Sequence, residues 1–183
     1  MIEQFAITTH RPRRRSWLRS GRPTRYRVTR EPGGESLLEC PSIRRLDRTG
    51  THPLSGEVAD GATLERDSLT RFRILDVAGV EVARLRHRMA LPTRRMRMSW
   101  EMMEGDGPAT VALNDVPFSV LEASRRRSEG ELMTTYDSED GWNLELYPTQ
   151  GVLTVDVDRF PWSLRTAVVA GVVVRALHED PSF

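Results

Sequence analysis

The chain contains no lysine: all 27 of its basic residues are arginine. It has a single cysteine, Cys40, so an internal disulfide framework is excluded and a reducing compartment is expected. A lone cysteine with no nearby base reads as a small buried hydrophobe. The four histidines, at 10, 52, 87 and 178, stand too far apart in sequence for a zinc-ligand spacing, and no metal or cofactor is expected. Absent too are a glycine-rich phosphate loop, a G-x-S-x-G elbow and a dinucleotide fingerprint, so no catalytic motif speaks for an enzyme. No apolar run reaches the roughly 18–20 residues of a spanning helix. The start, MIEQFAITTHRPRRRSWL, lacks an apolar stretch after its arginines and does not read as a secretory signal. A cytoplasmic protein, with a place at the membrane periphery, is the expectation.

What is present is a globular composition, 38% hydrophobic and 29% charged over 183 residues, enough for one domain with a real core. The net charge of +1 conceals an asymmetry. Residues 1–100 carry 21 arginines and 11 acids, whereas residues 101–183 carry 6 arginines and 15 acids. Such halves either attract each other within the fold or leave a dipolar surface that selects partners.

Period-2 alternation dominates the chain. Tyr26 and Val28 alternate with Arg25 and Arg27, then Pro32-Gly33-Gly34 turns the chain toward Leu38 and Cys40, a hairpin signature. The segment TRFRILDVAGVEVARLR from Thr70 repeats that pattern 46 residues after TRYRVTREPGGESLLEC. Between them, Asp47 to Ser68 lacks periodicity and is expected to be a long loop with at most one short strand. Met96, Met98, Trp100 and Met102 alternate with polar residues as one strand, its apolar face turned to the core. Short strands are expected around Thr110–Leu113, Phe118–Glu122 and Glu131–Tyr136. Trp142, Leu144 and Leu146 then pair with Leu153, Val155 and Val157 across a Pro148–Gly151 turn.

The last apolar run, SLRTAVVAGVVVRAL at 163–177, is the most hydrophobic of all. Its valines favour a strand, but its length, Pro161 and Ser163 before it, and Leu-His-Glu-Asp-Pro after it predict a helix. The fold class expected is mainly β, an antiparallel hairpin meander closing into a barrel around a hydrophobic C-terminal helix. Residues 1–22 are expected to form a partly flexible basic arm and residues 23–183 a single domain.

Two segments, FRILDVAGVEVARL at 72–85 and DVDRFPWSLRTAVVAGVVVRAL at 156–177, resemble the tubby C-terminal-like superfamily. Within it, the LURP-one-related proteins are the nearest in pattern. The resemblance implies a closed twelve-stranded barrel with the last helix through its centre. It also implies kinship with phosphoinositide-binding tubby proteins and with phospholipid scramblases. Neither set of functional residues carries over, since tubby-type binding uses a lysine and this chain has none.

Candidate sites are basic. Arg13, Arg14, Arg15 and Arg19 belong to a run of nine arginines without an acid between 11 and 30, and Arg125, Arg126 and Arg127 form a second cluster. Anionic phospholipid, or another anionic partner, is the first expectation, with each basic residue contributing about 1 kcal/mol at a charged leaflet. Trp17 and Tyr26, interleaved with the arginines, would serve base stacking in a nucleic-acid-binding domain, the runner-up. A protein-interaction module driven by the charge asymmetry is the third reading. Asp156 and Asp158, two apart on a predicted strand, are paired carboxylates that would face one side, fit to bind a cation or do acid/base work, with a solvated strand face as the plainer reading.

Overall fold

A computed structural model describes residues 1–10, 25–30, 34–43, 49–90, 96–105, 111–118, 133–136, 143–148 and 150–178. Within these, twelve strands precede one helix. The first sheet contains β1 (Ile2–His10), β2 (Arg25–Thr29), β3 (Ser36–Pro41), β10 (Met133–Tyr136), β11 (Asn143–Tyr147) and β12 (Val152–Asp156), in the order β10-β11-β12-β1-β2-β3. The second contains β4 (Gly50–Pro53), β5 (Thr63–Ser68), β6 (Arg71–Leu75), β7 (Glu81–Ala90), β8 (Met96–Glu104) and β9 (Val111–Phe118), in sequence order. Every pairing within the sheets is antiparallel.

Alternation decides which face is buried. Phe5 and Ile7 of β1, Tyr26 and Val28 of β2, Phe72 and Ile74 of β6, and Leu153 and Val155 of β12 are all at most 2% exposed. Arg25, Arg27 and Arg71 face water. On β8, Trp100 and Met102 point inward, and Trp100 stacks on His87 of β7 with ring centroids 4.6 Å apart. The expected helix is α1, Leu164–His178. Ser163 caps it, its hydroxyl accepting from the Thr166 amide at 3.3 Å. Every side chain from Thr166 to Val174 is buried, so the helix has no solvent face along its middle two and a half turns. Gly171 permits the close approach: a Cβ there would meet Ile7 Cδ1 at 3.0 Å and Leu153 Cδ2 at 3.3 Å.

Both sheets hold the helix. Ser163 donates its amide to Glu104 at the end of β8 (2.8 Å), while the far end lies against β12 through Arg175 and Gly151. The sheets also meet each other. Glu39 of β3 and Ser55, just beyond β4, exchange backbone hydrogen bonds of 2.6 and 3.1 Å, and β9 lies beside β10.

Three expectations change. Asp47–Ser68 holds two strands, β4 and β5, because pairing with β6 carries sequence of low propensity into the sheet. Separate strands at Thr110–Leu113 and Phe118–Glu122 are replaced by the continuous β9, whose pairing with β8 includes Val116 and Pro117 and shifts register at Asn114 and Asp115; residues 119–122 lie outside the described ones. Ile2–His10, within the stretch read as a basic arm, form β1, which lies between β12 and β2. Phe5 and Ile7 bury its inner face.

Candidate functional site

Arg13, Arg14, Arg15, Arg19, Arg125, Arg126, Arg127 and Trp17 lie outside the described residues. Tyr26, the other aromatic assigned to base stacking, is 2% exposed and belongs to the core, because β2 turns its even positions inward. It offers no face to a nucleobase.

The arginines that end the basic run are described, and acids hold them. Arg25 and Arg27 clasp Glu39 at 2.9 and 2.7 Å, and Arg30 reaches Glu3 at 3.2 Å and Glu57 at 3.5 Å. Burial raises the Glu39 carboxyl, but hydrogen bonds and charge from Arg27 and Arg25 outweigh it and hold the group below its ordinary 4.5. A similar lattice covers the outer face of β5, β6 and β7. Arg73 lies 3.0 Å from Glu65, 3.8 Å from Asp67 and 3.8 Å from Glu81, and Arg84 lies 2.6 Å from Glu81. These acids belong to the same half of the chain as the arginines they pair. The attraction between sequence halves therefore accounts for little of the described ion pairing, with Arg165–Asp60 at 4.0 Å and the Met1 ammonium contacts as the exceptions.

Asp156 and Asp158 do converge on a cation, the ammonium of Met1. Hydrogen bonds to Asp158 and then Asp156 raise that amine above its ordinary 8.0. Asp156 ends β12 and Asp158 lies in the turn beyond it. Among the described residues no group of three or more His, Cys, Asp or Glu side chains could hold a metal ion. Cys40 is buried, and desolvation pushes its thiol up to about 12, which leaves no thiolate near neutral pH.

The direction of the strands arranges the charge. Because neighbours run antiparallel through both sheets and across the Glu39–Ser55 junction, the ends of odd-numbered strands and the starts of even-numbered ones gather at one rim. The connecting sequences that leave and re-enter there are 11–24, 42–49, 69–70, 91–95, 119–132 and 148–151. They contain six, three, zero, two, three and zero arginines, against the acids Asp47, Glu122, Glu129 and Glu131. The sequence that follows α1 contains Glu179 and Asp180. Connections belonging to the opposite rim, 30–35, 54–62, 76–80, 105–110, 137–142 and 157–163, contain only Arg30 and Arg159 against ten acids. The asymmetry is thus one of strand ends, with the two sequence halves a poor proxy for it. The relevant signal was the alternation of basic and acidic connectors, legible only once the strands are counted correctly.

No family model, curated protein or solved structure matches the chain. Among the described residues no helix is long and apolar enough to cross a membrane.

Proposed function

We propose that this chain is a non-enzymatic domain that docks an arginine-rich rim on anionic phospholipid, through Arg13, Arg14, Arg15 and Arg19 together with Arg125, Arg126 and Arg127. The observation that carries the reading is the sorting of connector charge by strand direction. His10 and Arg25, which bracket residues 11–24, are paired neighbours, and Phe118 and Met133, which bracket 119–132, belong to the same set of strand ends. Two arginine clusters remote in sequence thus belong to connectors whose flanking strand ends lie at one end of the fold. The sequences connecting those ends, with the residues that follow α1, carry 14 arginines against 6 acids, a charge balance that draws a negatively charged surface and repels a positive one. Lysine is not needed for this, since guanidinium forks bind phosphate in bidentate fashion.

The fold belongs to the same proposal. The two sheets form one closed barrel with α1 along its axis, as the resemblance to the tubby C-terminal-like superfamily implies. Contacts at both seams support closure, as does the burial of α1 on every side. The protein works in the cytoplasm, at the membrane periphery.

Co-sedimentation with phosphatidylserine-containing and pure phosphatidylcholine vesicles, at low and high salt, tests the function. Binding confined to the anionic vesicles and weakened by salt is expected; equal binding to both would overturn it. The opposed rims also favour a second reading, head-to-tail association with an acidic or basic partner surface. Light scattering at low ionic strength distinguishes it, since lipid docking alone leaves a monomer.

A further inference from the structure

The β5–β6 turn is held more firmly than its length requires. Arg66 is the largest fully buried side chain of the described core, 1% exposed, at an inward position of β5. Its Nε donates to the Ser68 carbonyl and its terminal nitrogen to the Leu69 carbonyl, both at 3.1 Å, and its guanidinium lies 5.2 Å from the centre of the Phe72 ring. The Thr70 amide donates to the Ser68 hydroxyl at 3.3 Å, and the Thr70 carbonyl accepts from the His87 amide at 2.7 Å. Burying a cation is costly, and here it serves the backbone of a two-residue turn. What that turn presents to water is a leucine, Leu69, 51% exposed.

Two exposed arginines lie beside it. Arg71 and Arg86 face each other directly across β6 and β7 on the outer surface beside the turn, and both are exposed. Arg71 reaches Asp67 at 3.7 Å, and Arg86 has Glu101 opposite it on its other side, in the β7–β8 ladder. Like charges opposed across a ladder destabilise a sheet; Asp67 and Glu101 offset that cost in part, and a bound anion would relieve it further. A comparable apolar tip exists at the opposite rim, where Val77 is 83% and Val80 59% exposed. There the neighbours are Asp76, which accepts from the Ala78 and Val80 amides at 2.9 Å, and the exposed Asp60. Charge therefore distinguishes two otherwise similar tips, and only the first suits a negatively charged bilayer.

We infer that Leu69 is an insertion point that enters the headgroup region of an anionic bilayer while Arg71 and Arg86 engage lipid phosphates. This rests on the proposed lipid docking and names the part of the rim that meets the apolar phase, which neither a free anion nor a nucleic acid would use.

The test exploits the buried Cys40. Leu69→Cys in the full chain is labelled with an environment-sensitive fluorophore, with Val77→Cys as the comparison, and both are mixed with phosphatidylserine-containing vesicles. A several-fold emission rise with a blue shift at position 69 and none at 77 is expected. Leu69→Asp, tested unlabelled, should lose vesicle affinity by about tenfold, the worth of one leucine taken from water. If wild type sediments with anionic vesicles while the 69 label stays aqueous and Leu69→Asp binds normally, the insertion point is overturned and the docking reading stands. If wild type fails to bind the vesicles at all, both fall.

Discussion

Arg175 of α1 occupies the space that a side chain on Gly151 would need. An ideal Cβ at Gly151 would lie 1.6 Å from the Arg175 terminal nitrogen and 2.4 Å from the Ile7 carbonyl oxygen. Gly151 also has φ +68°, and its own carbonyl accepts from the Ile7 amide at 2.6 Å. One glycine thus lets the helix end, the β11–β12 turn and β1 share a corner. Gly151→Ala should cost about 2–4 kcal/mol, from strain and overpacking together, read by urea unfolding. Adding Arg175→Ala should restore part of the loss and not all, because the Ile7 carbonyl remains in the way.

The helix offers a coarser test of the core. Val172 and Val173 are both fully buried, so aspartate at either position places a charge where no water reaches. A loss of about 4 kcal/mol or more is expected, enough to leave the chain insoluble or without a cooperative transition. A soluble variant with a wild-type melting curve would show that the helix lies on the surface.

Glu39 links electrostatics to the seam between the sheets, since its backbone bonds to Ser55 and its carboxylate to Arg25 and Arg27. Its folded pKa lies below its unfolded 4.5. The stability it adds is therefore complete above that unfolded value and is lost as the pH falls through the folded one. For a partly exposed cluster the amount is about 0.5–1 kcal/mol. Glu39→Gln should remove this component, flattening the acid limb of stability against pH below about 5.

Arg66 supplies a prediction independent of lipid. Its replacement by methionine keeps most of the volume but leaves the Ser68 and Leu69 carbonyls without these donors, at a cost of about 2–3 kcal/mol. Lysine should not rescue it, lacking the fork that spans two carbonyls. Hydrogen exchange at the Thr70 amide, which bonds to the Ser68 hydroxyl in the same turn, reports the loosening locally.

Much of the β architecture was legible because alternation is a direct record of a half-buried sheet. Tyr26 and Val28, Trp100 and Met102, and Leu153 and Val155 all point inward as their spacing requires. The helix was legible from Ser163 and from an apolar run too long for a strand. The failures share a cause. At 50–68 the inward positions hold His52 and Arg66, polar residues that mask the alternation while occupying core sites. In β1 only Phe5 and Ile7 mark the buried face, and the arginines immediately downstream drew that strand into a supposed arm. Because β1 and one of β4 and β5 are hidden by their polar residues, the sequence alone shows both arginine clusters without showing which connectors share an end. Tyr26 illustrates the converse: its arginine neighbours point outward, and adjacency in sequence does not put an aromatic beside them in space.

The central claim is that two arginine clusters, distant in sequence, act as one surface at one rim. The decisive measurement is the affinity for phosphatidylserine vesicles of Arg13→Glu/Arg14→Glu/Arg15→Glu, of Arg125→Glu/Arg126→Glu/Arg127→Glu, and of the two combined. Each triple reversal should weaken binding by tenfold or more, given about 1 kcal/mol per basic residue, and the combination should abolish it. Undiminished binding by either triple variant, with its fold intact by circular dichroism, would contradict the claim.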